Sequence, residues 1–436
     1  MSATEKPRVI AVMAHGPPYH FDPDATPEFS WKKSDGSMVG FWAREWLDYI
    51  GEEILKETGR YEWEVWQPDY RADKVYSQTL DTGVIHRLFP AEDQPRKTGI
   101  RTQSAIVSEA MISRLKEIED RPIILLIFGL YGFRLPFYLS FLNAFGPAKR
   151  IPIFMLGGGT FRTPLGELPG LHWPLTYLSL IIEHFQVKKA LGYADVISEL
   201  SLADLKKVGT IYGGRIEAMT FGCDFKFWIP PPVKKAKQAA RRKLNISAGK
   251  TVFFASAIFL ARKQLDKLLE VFTTLKNRDD FCLIIAGQGD EEYTKRLTAL
   301  AAPLAKEGKA IMHPYVLGED LRDIYWASDL FVSVSSIEGG PVTVMKAMAC
   351  GLPVITTPVG HTADTMKKHA VGRLVPVNDY NEWARAFLEV LDGRMPKPLD
   401  MQTARETYDW PHVARWFIGV FDDLLAAYHP TEHHDA

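Results

Sequence analysis

The chain has 436 residues, 46% of them hydrophobic, which is enough for two domains with cores of their own. Lys and Arg number 52 against 53 Asp and Glu, a formal net charge of −1, so no overall field favours nucleic acid as a partner. The three cysteines, Cys223, Cys282 and Cys350, are too few and too widely spaced for a disulfide framework or a zinc site, and they fit a reducing cytoplasm.

The opening residues, MSATEKPRVIAVMAHG, lack the apolar core of a signal peptide. The longest apolar run, residues 123–133, is too short to span a bilayer. Both features predict a cytoplasmic protein whose membrane contact, if it has one, is peripheral and at the inner face. Arg8–Met13 reads as a first strand, with His15-Gly16-Pro17-Pro18-Tyr19 at its carboxyl end, where open α/β sheets place ligands. Residues 19–37 read as an insertion that interleaves Tyr19, His20, Phe21, Phe29 and Trp31 with Asp22, Asp24, Lys32 and Lys33. Aromatic faces between polar groups suit a sugar; a surface flap folded on its own aromatics fits the same composition. A helix is predicted over 38–57, a strand over 61–66, a helix over 102–119 and a buried strand over 123–128. Residues 138–145 are helical and aromatic and lead to Lys149 and Arg150, an edge that suits either a membrane surface or a core with a solvated end.

A strand over 152–156 runs into Gly157-Gly158-Gly159-Thr160. This is not a dinucleotide fingerprint, because no G-x-G-x-x-G with an acidic residue at the right distance follows a strand. Gly158 and Gly159 are expected to let a ligand approach the backbone closely. After a short strand over 194–198, Pro230-Pro231-Pro232 and the basic run 234–243 read as a stiff, solvated linker.

The second half alternates strands and helices. Strands are predicted over 251–256, 281–286, 310–316, 329–334 and 353–356, with a helix over 321–327 and a last helix over 410–428. The stretch between the last two of those strands carries the most information. It runs from an apolar strand into Glu338-Gly339-Gly340-Pro341, then into a helix with Val342, Met345, Ala349 and Leu352 at helical spacing, closed by Gly351 and Pro353. Such a helix directs free N–H groups and a partial positive charge at whatever lies over the turn, most often a phosphate. Glu338 beside it could accept hydrogen bonds from sugar hydroxyls. An ordinary βαβ unit with a solvated Glu338 fits the pattern as well.

Residues 338–361 resemble the signature of the family 4 retaining GT-B glycosyltransferases, E-G-(F/G)-(G/P)-x-(V/P)-x-(L/M)-E-A-M-A-(C/S)-G-x-P-V-(V/I)-(A/G)-(S/T)-x-x-(G/P)-G. The similarity extends to Gly287-Gln288-Gly289-Asp290, to 310–316, to Leu321–Asp329 and to Gly372-Arg373-Leu374-Val375-Pro376. Phe221 to Pro230 is similar to the family's N-G-V-D segment that closes the first domain. The resemblance is strong over about 250–428 and weak over 1–220.

It implies two Rossmann-like doubly wound domains facing across a cleft. The first would be 1–228, the linker 229–245 and the donor-binding domain 246–410, with a 411–428 helix crossing back onto the first domain. It implies a hexosyltransferase-like enzyme that moves a sugar, with retention and without a divalent metal, from a nucleotide-diphosphate donor to a hydroxyl of a sugar, a lipid-linked glycan or a small molecule, as in polysaccharide or glycolipid synthesis. Glu338 would hold the donor sugar and Lys263 its phosphate, as the catalytic residues. Gly16, Arg262, Gly287, Gly289, Val316, Gly339, Gly340, Val342, Thr343 and Lys346 would line the donor site. His15, Tyr19, Trp31, Gly158 and Gly159 would lie on the acceptor side.

Two positions depart from the family. Lys346 stands where a second glutamate grips the nucleotide ribose, and a lysine cannot accept a hydrogen bond. Ile258 stands where an arginine joins the lysine on the diphosphate. Three readings follow: the ribose is gripped elsewhere and Lys346 replaces the charge lost at Ile258; the donor lacks an ordinary ribose diol or carries another anionic group; or the chain is a non-catalytic GT-B subunit or regulator.

Overall fold

A computed structural model describes residues 6–13, 30–40, 46–93, 96–98, 101–103, 106–118, 122–129, 135–145, 151–157 and 174–427. The chain divides into two compact units, Met1–Met219 with Trp410–Ala436, and Thr220–Asp409.

The first unit is built on an eight-stranded sheet. In spatial order its strands are Arg215–Ala218, Val196–Glu199, Ile153–Leu156, Ile123–Phe128, Arg8–Met13, Glu62–Asp69, Ile85–Pro90 and Tyr76–Thr79. All neighbours are parallel except the last pair. RVIAVM and IILLIF occupy its centre because a parallel strand covered on both faces must be apolar throughout. One face carries Ile10, Val12, Leu125 and Ile127 into a core with Tyr138 and Phe141. The C-terminal helix Trp410–Ala427 lies against Trp46–Thr58 and sets Phe417 and Phe421 against Phe154.

Two predicted helices of this unit are shorter than expected. The 38–57 segment is a helix only over Trp46–Thr58; Met38–Gly40 is instead a strand, antiparallel to Ser30–Lys32. Gly36 at φ +84° and the Asp35 carboxylate accepting from the Ser37 N–H close that hairpin, and Val39 is buried within it. The 102–119 segment is helical only over Glu109–Glu117, where the Ser108 side chain caps the first turn at Met111 N (3.3 Å); Arg101–Gln103 pairs with Arg96–Thr98.

The second unit is a six-stranded, wholly parallel sheet. Its spatial order is Ala310–His313, Phe281–Ala286, Thr251–Ser256, Leu330–Ser333, Val354–Thr356 and Arg373–Leu374. Strand side chains alternate between two cores. Val252 and Phe254 join Tyr325 on one face, while Phe253 and Ala255 join Phe272 and Phe387 on the other. The sheet is therefore doubly wound. The chain steps outward from Thr251–Ser256 in one direction, then returns to Leu330–Ser333 and proceeds in the other. The crevice beyond the carboxyl ends of those two adjacent strands is the topological switch point, where such sheets receive ligands.

The expected linker over 229–245 belongs to this unit. Lys234–Lys243 is a helix packed on Gly318–Ala327. Arg241 donates to Ala327 O (2.8 Å) and pairs with Asp329 (2.6 Å), which also pairs with Lys237 (2.7 Å). Half of the basic run is thus paired within the second unit, with Lys243 on Asp323, while Lys234, Lys235 and Arg242 are exposed. The expected boundary at 228 moves likewise, because Cys223 N donates to Tyr408 O (2.8 Å), tying the first residues of this unit to its last.

Candidate functional site

Two loops leave the switch point of the second unit. After Thr251–Ser256 the chain makes a one-turn 3-10 helix, Ala261–Lys263. After Leu330–Ser333 it runs through Ser335 to Pro341 and enters the helix Val342–Ala349. Ser336 stitches the loops together, its N–H (2.8 Å) and hydroxyl (3.1 Å) both donating to Arg262 O.

Glu338 is buried where they meet. Its Oε1 accepts from the Lys263 ammonium and from Ser335 Oγ (2.8 Å), and its Oε2 lies 3.4 Å from Arg262 Nη1, which also donates to Ile337 O (3.2 Å). The two residues to which the family resemblance assigns separate sugar and phosphate roles therefore form one ion pair. Burial pushes the Lys263 pKa down, partly offset by Glu338.

The helix Val342–Ala349 starts at Pro341 without a side-chain cap. Val344 and Met345 N–H return to Pro341 O (3.0 and 3.4 Å), so the first-turn N–H groups of Val342 and Thr343 stand at the open end. Gly339 is buried, and its carbonyl accepts from His361 N (3.0 Å). Gly360, at φ +60°, allows that approach, since a Cβ there would sit 2.2 Å from Gly339 O and 2.8 Å from Glu338 O.

The remaining candidates divide. Gly287 and Gly289 admit protein backbone: a Cβ would meet Ala257 O at 2.0 Å in the first case and Phe259 O at 2.4 Å in the second. Their turn is thereby held against the loop that carries Lys263. Val316 is partly buried beyond the strand Ala310–His313, which stops short of the predicted 316 at Pro314. Ile258 is 52% exposed, and the arginine of this loop is Arg262. Lys346 does not meet Glu338; its ammonium lies 4.6 Å from the centre of the Trp228 ring, and burial lowers its pKa. Trp31 is in the first unit, its ring 5.4 Å from that of Tyr76. His15, Gly16, Tyr19, Gly158 and Gly159 lie outside the described residues. Gly157, next to the expected glycine approach, is faced by the buried Glu199, whose carboxylate leaves no room for a Cβ (1.9 Å).

One residue of the site escaped sequence reasoning. His361 is 3% exposed, and neither its Nδ1 and Nε2 nor the neighbouring Thr362 Oγ1 has a hydrogen-bond partner among the described residues. The signal was available, because the signature closes on (G/P)-G and this chain has His361 at its last position. Burial pushes the imidazole pKa down to about 4. An unfolded histidine titrates near 6.5, so the unfolded chain takes up this proton first. Stability is expected to be unaffected above that pH. It should fall with acidification between about 6.5 and 4, by up to about 1.4 kcal/mol per pH unit from this group. Urea denaturation at pH 7 and pH 5 checks this, with His361→Gln expected to flatten the acid slope.

No described helix is long and apolar enough to cross a membrane. The cysteines Cys223, Cys282 and Cys350 are buried and free.

Residues 236–409 match the family described as Glycosyl transferases group 1. A D-inositol 3-phosphate glycosyltransferase of Salinispora arenicola is 26% identical over 230 residues, 50% of this chain and 51% of that protein. A GDP-mannose-dependent monoacylated alpha-(1-6)-phosphatidylinositol monomannoside mannosyltransferase of Corynebacterium glutamicum is 26% identical over 330 residues, 73% of this chain and 77% of that one. The chain spans about half the length of the first curated relatives it matches. Among solved structures, the sucrose-phosphate synthase of Thermosynechococcus elongatus aligns with a TM-score of 0.67 at 15% identity, covering 97% of this chain and all of that one. Anabaena HepE in complex with UDP aligns at 0.64 and 14% identity over 96% of this chain and 100% of its own. These likenesses establish the fold as GT-B, in keeping with the two parallel-sheet units.

Proposed function

We propose that this chain, whose residues 236–409 belong to the group 1 glycosyl transferases, transfers a sugar with retention from a nucleotide-diphosphate donor to an acceptor hydroxyl. The observation that carries this reading is the meeting of Lys263, Glu338 and the uncapped Val342–Ala349 helix at the switch point of one parallel sheet. That combination puts a cation and free N–H groups where a phosphate gathers charge on leaving, with a carboxylate beside them to accept from sugar hydroxyls. The UDP in the HepE structure and the GDP-mannose in the name of the Corynebacterium relative support a nucleotide sugar as donor.

In this reading Lys263 turns from Glu338 to the leaving phosphate as the donor binds, and Glu338, still held by Ser335 and Arg262, takes the sugar hydroxyls. Each such contact contributes about 10²–10³ in rate when it is aimed at charge that develops in the transition state. The departing phosphate oxygen receives the proton of the acceptor hydroxyl. Charge at the leaving group comes from the protein, so the reaction is metal-independent. The acceptor is a sugar, a lipid-linked glycan or a small molecule, and the three free thiols suit work in the reducing cytoplasm.

Incubation with UDP-, GDP- and ADP-sugars, with nucleotide release and the product anomer followed by NMR, tests the proposal. Release from one donor class, with the anomeric configuration of the donor kept in the first product, is expected. Inversion would contradict retention, and no release from any donor would contradict the transferase reading.

A further inference from the structure

The first unit carries a groove of about 470 Å³ between the helices Glu109–Glu117 and Leu135–Phe145, within the range of roughly 300–1,000 Å³ that ligand sites occupy. Two facing stripes line it. Glu109, Ile112 and Lys116 recur at i, i+3 and i+7 on the first helix, and Ser140, Asn143 and Ala144 at i, i+3 and i+4 on the second. Beside it the helices share a core, where Met111 and Leu115 lie with Phe137, Tyr138 and Phe141. Ser140 and Ala144 are small, so the second helix leaves open between the stripes the room that large side chains fill in the core.

Each polar group of the groove has hydrogen-bonding capacity to spare. Asn143 accepts from the Tyr193 hydroxyl at Oδ1 (2.9 Å), which fixes the amide and leaves its NH₂ to donate. Ser140 Oγ is buried without a hydrogen-bond partner among the described residues, a costly state for a hydroxyl. Glu109 and Lys116 stand about 10 Å apart along their helix, too far to pair with each other. Arg114 pairs with Glu117 (3.0 Å), and among the described residues neither Glu109 nor Lys116 has a charged partner.

The charges of the lining cancel, so the groove selects neither a polyanion nor a cation. It offers a carboxylate to accept, an ammonium and an amide to donate and a hydroxyl to do either, over an apolar floor of Ile112 and Ala144. A pyranose presents the complement, with hydroxyls around its edge and C–H groups on its faces. The location is informative as well. A helix that follows a parallel strand runs back toward the amino ends of the strands, and residues 140–144 are the later part of such a helix. The groove therefore lies away from the carboxyl ends, where these sheets receive the ligands of a reaction.

We infer that this groove is a further carbohydrate site, which holds a neutral oligosaccharide of the acceptor or product away from the reacting hydroxyl. The site itself goes beyond the transferase reading, and only its purpose rests on it: a glycan held on the first unit stays with the chain between transfers.

Maltotriose, cellotriose and α-1,6-mannotriose, with inorganic phosphate as the charged comparison, are titrated calorimetrically against the full chain. Nucleotide release from UDP-, GDP- and ADP-sugars is followed on the same preparations. At least one trisaccharide is expected to bind. Asn143→Ala and Lys116→Met should each weaken that binding about 3- to 10-fold, the loss of one hydrogen bond, with melting temperature and nucleotide release held. Glu109→Gln should stay within a few-fold, since an amide oxygen still accepts from a hydroxyl.

Wild type that binds none of the three trisaccharides would overturn the inference, as would trisaccharide binding that neither Asn143→Ala nor Lys116→Met weakens. Phosphate binding lost in Lys116→Met, with trisaccharide affinity unchanged, would make the groove an anion site and overturn it too. Each of these results leaves the transferase reading standing. Absence of nucleotide release from every donor would contradict that reading instead, with the groove still decided by the titration.

Discussion

Replacing Lys263 with alanine is expected to lower turnover about 10²–10³-fold with little change in folding, whereas Glu338→Gln is expected to lower turnover and stability together. The asymmetry follows from what each change leaves behind. Without Lys263, the Glu338 carboxylate still accepts from Ser335 Oγ and lies beside Arg262. Without the Glu338 charge, the largely buried Lys263 ammonium has no acid left in contact among the described residues, because its salt bridge is to Glu338. Removing one partner of a buried pair costs about 3–5 kcal/mol; Lys263 is 13% exposed and can turn toward solvent, so about 2–3 kcal/mol is expected. Urea denaturation and initial rates on the same preparations separate the two effects. Burial also lowers the Lys263 pKa. The protonated form binds phosphate, so the alkaline limb of the rate profile should fall at a pH below the ordinary lysine value, and it should be absent from the residual activity of Lys263→Ala.

Gly360→Ala is expected to be the most damaging single-atom change at the site. The residue sits at φ +60°, and its missing Cβ would lie 2.2 Å from Gly339 O and 2.8 Å from Glu338 O. Neither neighbour is a flexible side-chain end. The loop that carries Glu338 would have to move, and the His361 N to Gly339 O bond would go with it. Left-handed strain of about 1–2 kcal/mol and the displacement of packed backbone, about 1–3 kcal/mol, together give about 3 kcal/mol and a melting point lower by about 6–12 °C. Gly393→Ala is the control. Gly393 has φ +87° with nothing within 4 Å of a Cβ, so it should carry the strain alone, keep activity and lose only about 1–2 kcal/mol.

The second unit was legible in sequence because its strands are continuous apolar runs bounded by turns. Thr251–Ser256 and Phe281–Ala286 fall where the pattern puts them, since a strand buried on both faces has no choice of composition. The Glu338 turn and the helix after it were legible for a related reason: a glycine pair and a proline leave few alternatives at a helix start. What the sequence did not carry was partnership. That Lys263 closes on Glu338, or that Lys346 turns to Trp228, depends on loops 75 and 118 residues apart in the chain meeting in space. The basic run 234–243 misled for the same reason, because its counter-charges, Asp329 and Asp323, come from later elements. In the first unit, the Ser30–Lys32 and Met38–Gly40 hairpin has three-residue strands, too short for a period of two to stand out from a helical pattern.

The central claim is that a donor diphosphate sits at the N-terminus of the Val342–Ala349 helix beside Lys263. A crystal structure of the protein with UDP or GDP tests it most directly. The account predicts phosphate oxygens within hydrogen-bonding distance of the Val342 or Thr343 N–H and of the Lys263 ammonium, with the Lys263 to Glu338 pair opened. A nucleotide bound elsewhere, or bound here with Lys263 still closed on Glu338 and the helix N-terminus untouched, would contradict it.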